Sequence, residues 1–122
     1  MTSDPNYQEK RRAQRVAATG PLTFDHLHDN QNAVLRNIST NGLCCISRTL
    51  IPEMTQVALT IRLPALPHER EEHYTLQCIG AVVRCEPLSR TNSRPKWEIG
   101  IYFTELEPHA DELLHRYIKS RL

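Results

Sequence analysis

Thr55-Gln56-Val57-Ala58-Leu59-Thr60-Ile61-Arg62-Leu63 decides the fold class of this chain. Val57, Leu59, Ile61 and Leu63 recur at every second position, with Gln56, Thr60 and Arg62 between them. An extended strand turns alternate residues to opposite sides, whereas a helix would scatter this apolar set around its circumference. The stretch predicts a half-buried strand over 55–63, stopped by Pro64-Ala65-Leu66-Pro67.

Further along, His68-Glu69-Arg70-Glu71-Glu72-His73 reads as a solvated connection. It leads into a long strand over 74–85, in which Gly80 invites a bulge or bend. Residues 87–96 form a polar turn. Trp97, Ile99, Ile101 and Phe103 then share one face of a final strand, which places Trp97 in the core. After them the period changes. Ala110, Leu113, Leu114, Tyr117 and Ile118 follow helical spacing, with Pro108 suited to the first turn and Glu107 or Asp111 to the positive end of the dipole.

Toward the N-terminus, a strand over 42–47 follows a Thr40-Asn41-Gly42 turn, and Asn-Gly is a strong hairpin signal. A strand over 33–39 precedes it, although Arg36 spoils the alternation, and a first strand runs over 22–27. Residues 1–16 have no apolar period and carry Lys10-Arg11-Arg12-Ala13-Gln14-Arg15, so they read as a flexible basic leader. The β-rich part then covers 17–105 and the terminal helix 106–122. Strands followed by one amphipathic helix predict an all-β unit, a small antiparallel barrel or sandwich with the helix laid on it.

The 122 residues suffice for one domain with a real core. No apolar run approaches the roughly 20 residues that span a bilayer, and Met1-Thr2-Ser3-Asp4-Pro5-Asn6 lacks the apolar core of a signal peptide. These features point to the cytoplasm and to no membrane insertion. A net charge of +1 gives no general pull on nucleic acid. Only three of fifteen basic residues are lysine, which favours the bidentate, stacking chemistry of arginine. Cys44, Cys45, Cys78 and Cys85 show no C-x-x-C spacing and read as thiols in a reducing compartment. The adjacent Cys44 and Cys45 are expected on opposite strand faces. His26 and His28 have no third ligand at sensible spacing, so no metal site is expected.

The sequence Asn37-Ile38-Ser39-Thr40-Asn41-Gly42 carries the chemistry. Asn37 and Ser39, two apart, are expected to share an outward strand face with Ala33 and Leu35 while Ile38 enters the core. Gly42 can adopt positive φ or let a ligand approach the backbone. The same residues also suit plain turn chemistry, with Asn and Ser bonding their own backbone. The arginine cluster, just ahead of the first strand, can bond phosphate oxygens or the O6 and N7 edge of guanine.

Basic leader, R-x-x-x-R at Arg11 and Arg15, strands, then N-x-S-x-x-G at Asn37, Ser39 and Gly42: this order resembles the PilZ domain family. Gly80-Ala81-Val82-Val83-Arg84 followed by Trp97-Glu98-Ile99-Gly100-Ile101-Tyr102-Phe103 is similar to the family's later strand pair. The similarity runs from about Lys10 to the terminal helix. It implies a six-stranded antiparallel β-barrel with a C-terminal α-helix that binds cyclic di-GMP as a receptor and not an enzyme. The implied ligand-binding residues are Arg11, Arg12 and Arg15 in the leader and Asn37, Ser39 and Gly42 at the strand end. Lys10 and Arg84 are further candidates by position. The resemblance further implies no cofactor besides the ligand, and an effector partner in motility, adhesion or polysaccharide (biofilm) machinery. A monomer or weak homodimer is expected.

Two other readings of function stand beside this one. A PilZ-like module could act through protein contacts alone, without nucleotide. A barrel for single-stranded nucleic acid would need exposed aromatics over a positive groove, and this chain has seven aromatics and near-neutral charge. For catalysis there is no G-x-S-x-G, H-E-x-x-H or P-loop, and Glu71-Glu72 lies in the charged connection.

Overall fold

The computed structural model describes residues 14–26, 29–65, 70, 72–88 and 94–122. Six strands and one helix follow one another: β1 (Val16–His26), β2 (Asp29–Ile38), β3 (Gly42–Ser47), β4 (Gln56–Pro64), β5 (His73–Pro87), β6 (Trp97–Leu106) and α1 (Pro108–Arg121). The strands close into a barrel in the order β1-β2-β3-β6-β5-β4, every pairing antiparallel. The barrel alternative of the sequence reading is therefore the one adopted.

The alternation that predicts β4 is the alternation it shows. Val57, Leu59, Ile61 and Leu63 are buried while Gln56 and Arg62 are exposed. Leu22, Phe24, Leu35, Ile38, Leu43, Ile99 and Ile101 meet them inside the barrel. Trp97 is half-buried and packs on this core from its margin. The helix buries Ala110, Leu113, Leu114, Tyr117 and Ile118, with Pro108 in its first turn and Lys119 and Arg121 in its last, which suits the dipole.

Several boundaries differ from expectation. β1 starts at Val16, six residues before residue 22, so Val16 belongs to the strand and not to the leader. Val16 and Ala18 are buried, and an irregularity between Ala17 and Gly20 lets the strand pass Gly20-Pro21 without ending. β2 begins at Asp29 and stops at Ile38, leaving Ser39 outside it. β5 and β6 each run beyond their apolar stretch, since barrel pairing continues where the hydrophobic pattern has stopped. Cys44 and Cys45 are both buried, although they alternate on β3, because the Arg84 guanidinium reaches the Cys44 side and donates to its Sγ at 3.9 Å.

Candidate functional site: an arginine-lined cavity over β3, β5 and β6

The site begins with one extra residue. Leu35 stands opposite Cys45 and Asn37 opposite Cys44, so Arg36 is bulged out of the β2–β3 ladder. The bulge shifts the alternation by one. Ala33 and Leu35 enter the core together with Ile38, and Asn37 stands half-exposed on the other side. The expectation that Asn37 shares a face with Ala33 and Leu35 is thereby corrected.

Ser39 is also not an outward strand residue. It is 1% exposed. Its hydroxyl accepts from the N–H of Asn41 (3.1 Å) and of Gly42 (3.3 Å) and lies 3.3 Å from the Gly42 carbonyl, to which it donates. Its own N–H donates to that carbonyl at 2.8 Å. This is the turn chemistry that the sequence also allows. The Asn41 carbonyl then accepts from the Phe103 N–H at 2.8 Å, tying the turn to β6. Gly42 is needed for close approach and not for positive φ, which no glycine here adopts. A Cβ at Gly42 would run into the Ile101 carbonyl oxygen, with Tyr102 Cα 3.2 Å away.

Arg15 joins the two motifs. Its Nη1 donates to Asn37 Oδ1 at 2.9 Å, across 22 residues of sequence. Lys10, Arg11 and Arg12 lie outside the described residues. Arg15, Ser39, Gly42, Arg84, Gly100 and Tyr102 border a cavity of about 430 Å³. Arg84 lies across Gly100: a Cβ there would have its Cβ and Nε at 3.5 Å. Glu98 holds Arg84 by its Oε1 (2.9 Å) and Arg36 by its Oε2 (2.6 Å). The hydrogen bond to Glu98 raises the Arg84 pKa further, so this cation stays charged at any working pH.

Other clefts differ in charge. One of about 360 Å³ is bordered by Asp25, Glu105 and Glu107, which would repel phosphate. Another, of about 520 Å³, lies between Gln14, Thr40 and the end of α1 at His115, Ile118, Lys119 and Leu122. Among the described residues no three His, Cys, Asp or Glu side chains group to hold a metal ion, and no helix is long and apolar enough to cross a membrane. Sequence reasoning placed Arg84 near this surface but did not assign Gly100 or Tyr102 to the site, although both lie in the 97–103 stretch it singled out. Their signal was positional: both alternate on β6 with Ile99, Ile101 and Phe103, Tyr102 exposed and Gly100 buried beneath Arg84.

The chain is thus a closed six-stranded antiparallel barrel in which an arginine and an N-x-S-x-x-G turn meet at one cavity. The PilZ domain family model matches residues 9–120, and the chain belongs to that family. A comparison with curated proteins finds no match. Among solved structures, the chain is similar to the motility inhibitor MotI/DgrA of Bacillus subtilis (TM-score 0.70, 18% identity, 90% of this chain and 50% of that one). It is similar to the PilZ domain of Escherichia coli YcgR with c-di-GMP (TM-score 0.65, 14% identity, 92% and 91%). A third is Borreliella burgdorferi PlzA in complex with c-di-GMP (TM-score 0.61, 11% identity, 94% and 52%). The chain thus spans about half the length of MotI/DgrA and of PlzA.

Proposed function

We propose that this chain is a cytoplasmic receptor for cyclic di-GMP that signals to a partner protein and has no enzymatic activity of its own. The observation that carries the reading is the hydrogen bond from Arg15 to Asn37, which brings the R-x-x-x-R and N-x-S-x-x-G motifs together at the cavity rim. Two similar structures hold c-di-GMP. In this reading Arg15, with Arg11 and Arg12 from the segment ahead of it, engages phosphate oxygens and a guanine edge. The Ser39 hydroxyl acts at one remove, fixing the Asn41–Gly42 backbone on which the guanine rests. Arg84 supplies a second cation from the opposite wall.

Ligand contact orders the segment ahead of β1 over the cavity, which changes the surface that a partner meets. The cleft shared by Gln14, Thr40 and the end of α1 is where that change reaches the helix. An effector in motility, adhesion or polysaccharide export suits such an output.

Titration calorimetry with cyclic di-GMP tests the reading. Binding at micromolar concentration or tighter is expected, and Arg15→Ala and Asn37→Ala should each weaken it by about tenfold or more, the range for a hydrogen bond to a charged group. Hydrogen exchange at residues 9–15 should slow with ligand. Absence of heat at tens of micromolar protein, roughly the limit for a specific messenger receptor, overturns the receptor reading. Unchanged exchange overturns the ordering step alone.

A further inference from the structure

We propose that Tyr102 is the base-stacking residue of this cavity, its ring forming the wall against which a purine of the ligand lies. The proposal rests on the cyclic di-GMP reading and adds to it a residue that neither motif contains. Strand β6 sends Ile101 and Phe103 inward, at 2% and 7% exposure, and leaves Tyr102 50% exposed on the outer face. A side chain on a sheet normally finds packing on the residues directly opposite it. Opposite Tyr102 stand Gly42 on β3 and Ala81 on β5. One has no side chain and the other only a methyl, so neither neighbour covers the ring.

The same cavity carries Arg15 and Arg84. A guanidinium answers phosphate or the edge of a base, but a purine also presents a large flat face that hydrogen bonds leave wet. An aromatic ring at the border of a cationic cavity covers that face. Stacking of this kind tolerates any base, so Tyr102 supplies affinity while the arginines select guanine. Gly100, two residues back on the same face of β6, lets the Arg84 side chain lie close against the strand, next to the ring along the same face.

Calorimetry with cyclic di-GMP, paired with proton spectra of the Tyr102 ring, tests the assignment. Tyr102→Ala should weaken binding on the order of 5- to 150-fold, the range for one base–aromatic stack, while Tyr102→Phe keeps affinity within about threefold, less than the loss of a hydrogen bond. Ligand should shift the Tyr102 ring protons upfield in the parent protein. Thermal midpoints of both variants should match the parent, since the ring is half in solvent. Binding by the parent with unchanged affinity in Tyr102→Ala overturns the stacking role and leaves the receptor reading intact. Failure of the parent itself to bind overturns both. Loss of binding in Tyr102→Phe equal to that in Tyr102→Ala also overturns stacking, because it assigns the effect to the hydroxyl.

Discussion

The Ser39 hydroxyl answers two turn N–H groups and one carbonyl, so the side chain that a binding motif advertises is spent on its own backbone. Ser39→Ala leaves two donors in a buried turn without that partner. A loss of about 1–3 kcal/mol in stability is expected, read as a lowered urea midpoint with unchanged slope. Cyclic di-GMP affinity should fall less than in Arg15→Ala; an equal fall at unchanged stability would mean that the hydroxyl meets the ligand directly. Asn37 was legible as a polar strand residue. Its direction was not, because the Arg36 bulge is set by pairing with Cys44 and Cys45 on another strand. Local sequence holds no record of such a partner. Gly42 was found as a special position with the reason left open, since only the folded chain brings the Ile101 carbonyl against it.

At the scale of the element, α1 was the most readable part of the chain. Its apolar residues at 110, 113, 114, 117 and 118 are the residues it buries. Leu114 is fully buried and sits among the core residues. Leu114→Ala should therefore cost about 2–5 kcal/mol, checked by equilibrium urea unfolding, whereas Glu112→Ala on the exposed side should change little. β3 and β4 were as legible, β3 as a short apolar run after the Asn-Gly turn and β4 by its apolar alternation. β1 was not. Val16-Ala17-Ala18-Thr19-Gly20-Pro21 has small residues and two breakers, and it becomes strand because β2 pairs with it. Tertiary pairing there overrides a local preference for loop.

For the whole molecule, burial sets the response to alkali. Desolvation pushes the Cys45 thiol from an ordinary value near 9 up to about 12 and Cys78 up to about 11. Below pH 9 both folded and unfolded chains keep these protons, and the thiols add no slope. Above it the unfolded chain releases protons that the folded chain retains, so stability falls as pH rises toward about 11 and then 12. Urea midpoints between pH 8 and pH 11 should decline, and more gently in a Cys45→Val, Cys78→Val double variant; identical slopes would refute the link. The cavity also belongs to this scale. Arg15 precedes β1, Gly42 opens β3, Arg84 lies on β5 and Tyr102 on β6. The two motifs could be read in order along the chain, but the walls that complete the site meet only when the ring closes.

That closure is uneven. β4 pairs with β1 only between Leu22↔Ile61 and Asp25↔Ala58. The first half of β1, directly after Arg15, has β2 as its strand partner, and Val16 and Ala18 are buried there in the same core cluster as the helix residues Leu114 and Ile118. A strand margin left open would invite cross-molecular recruitment, and burial against the core is one way a protein closes it. Pro21 interrupts the margin of β1 with a residue that has no N–H to lend, and Gly20 adds no side chain to the seam. The Gly20-Pro21 pair that reads as a break in the sequence marks, in the folded protein, the point where β1 passes from one strand partner to two.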